Sequence, residues 1–281
     1  MIPATRSTPV EPIIIEPGTG WPALRLREVW EFRDLLYFLV WREIKVRYKQ
    51  TALGVAWAMI QPLFTMVVFT LFFGRLGRMP SDGLPYPLFT YSALLPWQLF
   101  AFALTEASNS VVANQRLITK IYFPRLIVPL AAVTAGLADF CVSLVVFAGM
   151  MIYYGVAPPL AVLTLPIWAA FVTLTALSVG LWLSALNVKY RDVRYTLPFL
   201  TQLWMFASPV AYSSSIVPEQ WRGLYALNPM VGVIEGFRWA LLGQGGAPPL
   251  SVPVSAVAVL IVLVSGLFYF RRMERAFADI V

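Results

Sequence analysis

Trp41 to Pro62 reads WREIKVRYKQTALGVAWAMIQP, and the step in its middle decides the fold. Arg42, Lys45, Arg47 and Lys49 crowd into eight residues, and residues 50–74 then carry no charge. The pattern recurs: 83–105, 195–218 and 239–270 are uncharged, and Asp139 is the only charge between Arg125 and Lys189. Crossing a bilayer as a helix takes roughly 20 apolar residues. Each run is long enough, and open strands are excluded because lipid cannot satisfy their edges. Composition agrees. The 281 residues are 59% hydrophobic and 12% charged, against roughly 25% charged in soluble domains.

These runs predict an all-α integral membrane protein with six transmembrane helices, near 52–73, 87–107, 126–154, 160–186, 195–213 and 252–270. Between the third and fourth, YYGVAPP offers Gly155, Pro158 and Pro159 for a tight surface turn. No internal repeat is visible, which argues against an inverted-repeat secondary transporter. Six spans then read as half of an assembly. Of 21 Lys and Arg, 17 fall on the side that holds both ends of the chain, leaving Arg75, Arg78, Arg222 and Arg238 opposite. The positive-inside rule therefore expects both termini in the cytoplasm. The net charge of +7 reads as this bias rather than as a nucleic-acid surface. No cleavable signal peptide is expected, because the first residues are polar and Pro-rich.

Residues 28–49 place Trp30, Tyr37, Trp41, Ile44 and Tyr48 on one stripe at helical spacing, widened by Phe32, Leu36 and Leu39. This predicts a helix lying in the interface plane, as an anchor or as a docking surface for a cytoplasmic partner. Residues 1–27 lack periodicity and read as a flexible cytoplasmic tail. The segment 28–281 reads as a single transmembrane domain, closed by a cytoplasmic C-terminus at 271–281.

Two basic loops face the cytoplasm in this scheme. SNSVVANQRLITKIYFPRL contains a short amphipathic pattern (Val111, Val112, Gln115, Leu117, Ile118) that Pro124 should end. LNVKYRDVRYTLP is brief and polar, and Asp192 could pair with Arg191 or Arg194. Either loop fits an ordinary positive-inside connection or a contact for a moving partner. On the outer side, 214–246 contains two short helical patterns. Asn228 is placed to cap the second, Pro229 opens it, and Gly243, Gly245 and Gly246 end it. Glu235 and Arg238 are spaced to pair. The segment reads as a re-entrant pair that gates a pore, or as a surface hairpin.

Catalytic chemistry is missing from the sequence. It has no histidine, one cysteine (Cys141), no GxxxxGK[ST] loop and no paired carboxylates within a span. No catalytic, metal or cofactor-binding residue is assigned, and a membrane-embedded transferase is disfavoured. Asp139 is either a direct participant in transport or a hydrogen-bonded group between helices. Aromatics abound. Trp97, Tyr153, Tyr154 and Trp221 suit an interfacial belt. Trp57, Phe64, Phe100, Trp204, Phe206 and Tyr212, with Trp97, are either packing and lipid contacts or a lining on which sugar rings slide.

In order along the chain, REIKVRYKQTALGVAW…QP, NQRLITKIYFPR, LNVKYRDVRY, SPVAYS and NP…E..R resemble the transmembrane subunits of type-2 ABC polysaccharide exporters, the O-antigen and teichoic acid permeases. The resemblance covers about 28–275 and is nearest to the O-antigen type. It implies the ABC type-2 transporter fold and a homodimer with two copies of a separate subunit that binds ATP and Mg. It implies an undecaprenyl-pyrophosphate-linked polysaccharide as cargo, no nucleic acid, and the bacterial inner membrane as location. It implies ATPase coupling through Arg116, Lys120, Tyr122, Arg125, Lys189, Tyr190, Arg191 and Asp192. Trp41, Arg42, Lys45, Arg47, Tyr48 and Lys49 would form the cytoplasmic interface and admit the anionic lipid head group. A cation near an anionic surface contributes about 1 kcal/mol. The outer pair with Asn228, Pro229, Glu235 and Arg238 would be a gate. The alternatives are a type-2 exporter of a small drug or lipid, or of teichoic acid or capsule polymer.

Overall fold

The computed structural model describes residues 26–49, 54–243 and 251–280. Most of the expected tail, and Gly245 and Gly246, lie outside the described residues. Helices α1 (Leu26–Glu31) and α2 (Arg33–Lys49) precede α3 (Val55–Phe69), which continues as a π-helix through Thr70–Leu76. Then come α4 (Tyr86–Ala113), α5 (Gln115–Lys120), α6 (Ile127–Tyr154), α7 (Leu165–Lys189) and α8 (Val193–Phe206). The short α9 (Glu219–Tyr225) and α10 (Pro229–Leu242) lead to α11 (Ser251–Ile280). Among the described residues, the expected all-α architecture is present.

Helix α4 is the axis. It packs against α3, α6, α7, α8 and α10, and 78% of its apolar window is buried, against 11% for α3. Lipid offers helices no hydrophobic drive to associate, so close approach depends on small residues. A Cβ on Gly180 would stand 2.8 Å from the Cβ of Ala107, which marks the α4–α7 seam. Polar bonds lock the same seam at one end: Asn187 Nδ2 donates to Ser108 O at 3.0 Å and to Asn109 Oδ1 at 3.1 Å. Proline is handled similarly. Pro62 inside α3 removes an N–H and leaves the Ala58 carbonyl without its helical donor. The Ser143 hydroxyl of α6 donates to that carbonyl at 3.3 Å.

Among the described residues, five helices are long and apolar enough to span, not the six expected. The exception is the segment 195–213. Its helix α8 has 14 residues, about 21 Å of rise, and breaks into turns at Ala207–Ser208–Pro209. The chain still runs from one end of the bundle to the other there. Val193 follows the α7 terminus, and Tyr86 at the start of α4 donates through its hydroxyl to Ala211 O at 2.5 Å. Between α6 and α7, Gly155 takes a left-handed φ of 65°, and Val156 N reaches Met151 O to close a Schellman-type end.

The interface helix is also arranged differently from its sequence pattern. Leu39 is buried, and Phe32, Leu35, Leu36 and Val40 pack on the core. Trp30, Tyr37 and Trp41 point outward. The packed stripe is thus mostly aliphatic, with Phe32, while of the expected aromatic stripe Trp30, Tyr37 and Trp41 face away and Tyr48 turns inward. Nor does α2 merely lie across the helix ends. It runs along α6, and Arg47 and Tyr48 reach Asp139, about 18 Å along α6 from its start.

Overpacking a tight seam costs about 1–3 kcal/mol. Gly180→Leu should therefore lower the unfolding midpoint of the purified protein. Gly149, around which nothing lies within 4 Å, should accept alanine without loss.

Candidate functional site

Helices α3, α4, α6 and α8 line a half-open cavity of about 520 Å³. Its wall mixes apolar residues such as Leu94, Trp97, Phe102 and Phe140 with polar ones: Gln61 and Thr65 from α3, Gln98, Thr105 and Glu106 from α4, Asp139 and Ser143 from α6, Thr201 and Gln202 from α8. The helices that line it are the first, second, third and fifth of the sequence scheme. Amides and hydroxyls both donate and accept hydrogen bonds. Such groups can hold water or a polyhydroxylated chain.

The α2 helix bounds the cavity from the basic end of the bundle. Arg47 Nη1 stands 2.5 Å from Asp139 Oδ2, and the Tyr48 hydroxyl donates to the other carboxylate oxygen. The Arg47 guanidinium also lies 3.8 Å over the Phe102 ring. Phe102 can sit there because position 136 is glycine, where a Cβ would come within 2.7 Å of its ring. Gly136 and Asp139 are three apart on α6 and share a face. Burial, reinforced by the Asp139 carboxylate, pushes the Tyr48 phenol above its ordinary range, so it stays a donor. Of the two readings of Asp139, the bonds between helices are those observed.

The remaining residues of this end divide into anchored and free. Arg42 donates to Glu43 and to Asn114 Oδ1, each at 2.6 Å. Lys45, Lys49 and Trp41 are exposed. Arg116 and Lys120 stand exposed on α5, whose Ile118 is buried, and Tyr122 is exposed beyond it. Lys189, Tyr190, Arg191 and Asp192 form an exposed turn, with Lys189 Nζ 5.2 Å from the Tyr190 ring centroid. Asp192 forms no ion pair with Arg191 or Arg194 among the described residues. Arg125 is tied down: its guanidinium donates to Glu274 O, and its backbone N–H to Glu274 Oε1 at 3.2 Å.

The aromatic lining expected from the sequence is mostly not at the cavity. Trp97 lines it. Phe100 is fully buried and sits edge-on to Trp204 at 5.0 Å, so both serve packing. Trp57, Phe64 and Phe206 are exposed on the outside of the chain. Tyr212 donates to Phe206 O at 3.1 Å and meets the Tyr225 hydroxyl at 3.0 Å. Gln61, Gln98 and Gln202 went unremarked in the sequence reading. A lone glutamine inside each of three apolar runs was the available signal.

At the opposite end, Asn228 exceeds its expected role as a cap. Its Oδ1 accepts from Met230 N at 3.1 Å and from Trp204 Nε1 at 2.8 Å. Its Nδ2 donates to Ala207 O at 3.1 Å and Ser208 Oγ at 3.0 Å. One side chain thus joins the end of α8 to the start of α10, where Pro229 holds the first turn. Helix α10 is buried against α4, α7 and α11, which excludes a loose surface hairpin. Glu235 and Arg238 do not pair. Ser251 donates to Glu235, and Arg238 lies 3.6 Å over the Phe89 ring.

The ABC-2 type transporter membrane family matches residues 34–242, which contain the cavity, the α2 clamp and the α8–α10 junction. This chain belongs to that family. Among similar ABC-2 proteins, the O-antigen export system permease RfbA of Myxococcus xanthus is 32% identical over 256 residues, covering 89% of this chain and 97% of its own. RfbA of Klebsiella pneumoniae is 28% identical, over 88% and 95%. The polysialic acid transport protein KpsM of Escherichia coli is 23% identical, over 84% and 92%. The ABC-2 chain described here is a multi-pass membrane transport protein of that kind.

The Arg47–Asp139 pair is about one-third exposed on each side. Its coupling should fall between the roughly 1 kcal/mol of a surface pair and the roughly 3–5 kcal/mol lost on breaking a buried one. A double-mutant cycle with Arg47→Gln and Asp139→Asn, followed by unfolding in detergent, should show the double variant losing less than the sum of the singles.

Proposed function

We propose that this chain is the channel-forming subunit of an ATP-driven exporter. Its cargo is an undecaprenyl-pyrophosphate-linked polysaccharide, O-antigen, moved from the cytoplasmic to the outer face of the bacterial inner membrane. The observation that carries this reading is the cavity between apolar helices whose wall includes three glutamines, three threonines and a serine, in a chain whose relatives are named for exporting O-antigen and polysialic acid. Sugar hydroxyls can exchange hydrogen bonds along such a wall without a strongly bound resting point. Of its two carboxylates, Asp139 is already engaged by Arg47.

The chain works as a pair of copies with two ATP-binding subunits, which bind ATP and Mg. Helix α3 is little buried by its own chain, and both α3 and α8 carry exposed apolar faces; a second copy covers part of them and closes the channel. The basic end is cytoplasmic, with both termini there. The ATPases press on α5 and on the 189–192 turn. Because Asn187 is bonded to Ser108 and Asn109, movement of that turn pulls on the end of α4 and so on the cavity wall. The exposed cations of α2 attract the pyrophosphate head group.

Depleting the protein from cells, then typing lipid-linked glycans by mass spectrometry, tests the reading. Long undecaprenyl-linked polymer should accumulate on the cytoplasmic side. Gln202→Trp, which fills the cavity, should lower surface glycan severalfold at unchanged protein level. Normal surface glycan with no trapped intermediate would reject the proposal.

A further inference from the structure

A second space lies at the end of the bundle opposite the basic helices. It has a volume of about 1,110 Å³ and is formed by the 213–215 segment, α9, α10, the start of α11 and the turn at Asp82. That is ample for a few sugar rings, since ligand pockets commonly span about 300–1,000 Å³. The chain enters it directly from the first cavity: Thr201, Gln202 and Met205 of α8 line the one, and Ser213 and Ser215 line the other.

Its chemistry is mixed in sign and rich in hydroxyls. The Asp82 carboxylate accepts from Ser213 Oγ at 2.6 Å and from Ser215 Oγ at 3.4 Å. Glu235 accepts from Ser251. Arg238, buried on α10, donates from Nη2 to Val210 O at 3.3 Å, while its Nε has no acceptor among the described residues. Tyr225 adds a phenol, and Trp239 an indole whose ring is edge-on to Trp168 at 6.3 Å. The wall carries two carboxylates, Asp82 and Glu235, and two guanidinium groups, Arg222 and Arg238, so neither an anion nor a cation is favoured by net charge. A neutral polyhydroxylated ligand satisfies both signs, because each hydroxyl can donate to a carboxylate and accept from a guanidinium. Its C–H faces suit the aromatic wall. Bonds to Ser213 and Ser215 orient the Asp82 carboxylate, and a bond to Ser251 orients that of Glu235.

We propose that this pocket is a carbohydrate-binding subsite that receives a short neutral stretch of the emerging glycan on the outer side of the channel. The proposal rests on the export reading above. It assigns Glu235 and Asp82 as acceptors for sugar hydroxyls, and Arg238 as the positioning residue between α10 and Phe89.

The test uses the full-length protein in nanodiscs. The probe is a set of short oligosaccharides released by mild acid from the surface glycan of the source cells and labelled at the reducing end. Fluorescence polarisation should show saturable binding. Hydrogen bonds to charged groups contribute enough that Glu235→Gln and Asp82→Asn should each weaken binding by about tenfold. Ser215→Ala, a smaller change, should weaken it less and guards against misfolding of the acidic variants. Val145→Ala, on the outer face of α6 and in neither cavity, should leave it unchanged. No saturable binding at millimolar oligosaccharide would overturn the subsite, as would saturable binding that ignores both Glu235→Gln and Asp82→Asn. Depletion that leaves surface glycan normal would instead overturn the export reading itself.

Discussion

Lipid supplies no hydrogen bonds, so every polar group between the two ends of this bundle needs a partner within the protein or in enclosed water. Much of the architecture follows from that constraint. Pro62 leaves a carbonyl free in α3, and Ser143 crosses from α6 to meet it. Asp139 would be an isolated charge at depth in α6, and α2 is drawn down along α6 so that Arg47 and Tyr48 can reach it. The end of α8 exposes backbone where it breaks, and Asn228 gathers it. The side chains with capacity left over, Gln61, Gln98 and Gln202 among them, converge on one cavity. A route for a polar polymer is the same constraint seen from the inside.

The two ends of the bundle are built for different tasks. At the basic end, some groups are fixed and others stand free. Arg42, Arg47 and Arg125 are bonded into the bundle, while Arg116, Lys120 and the 189–192 turn are exposed. Fixed residues transmit force and exposed ones receive it, which suits contact with a partner that moves. At the other end, α10 is sunk among α4, α7 and α11, and a Cβ on Gly236 would fall 2.0 Å from the Trp168 ring. That helix cannot swing freely. Movement there has to carry α8 with it through the Trp204–Asn228 bond.

Much of the fold was legible because charge is scarce. Uncharged runs located the starts of α3, α4, α6, α7 and α11 to within about five residues, although α4 and α11 run on past their expected ends to Ala113 and Ile280, and Gly155 and Asn228 marked real ends. The run at 195–213 misled because hydropathy does not register a chain that turns at Ser208–Pro209 while staying apolar. The stripe of Trp30, Tyr37 and Trp41 misled for a related reason. Periodicity identifies an apolar face but not which of two apolar faces meets protein, and here the aliphatic one does. For Phe100 and Trp204 the sequence left packing and a sugar-facing lining both open, and the structure shows packing. The cavity was least legible. Its polar residues come from four helices, and only the fold brings Gln61, Gln98 and Gln202 together.

The central claim is that the glutamine-lined cavity is the path of the glycan. The most direct measurement is photo-crosslinking in cells that are synthesising surface polymer. A photoreactive residue would replace Gln202 or Thr65 in the cavity, or Val145, which is 73% exposed on the outer face of α6. Irradiation should shift the cavity-labelled protein into a high-mass ladder that stains for glycan, and leave the Val145 variant as a single band. A ladder from Val145, or none from Gln202 and Thr65 while polymer still reaches the surface, would contradict the account.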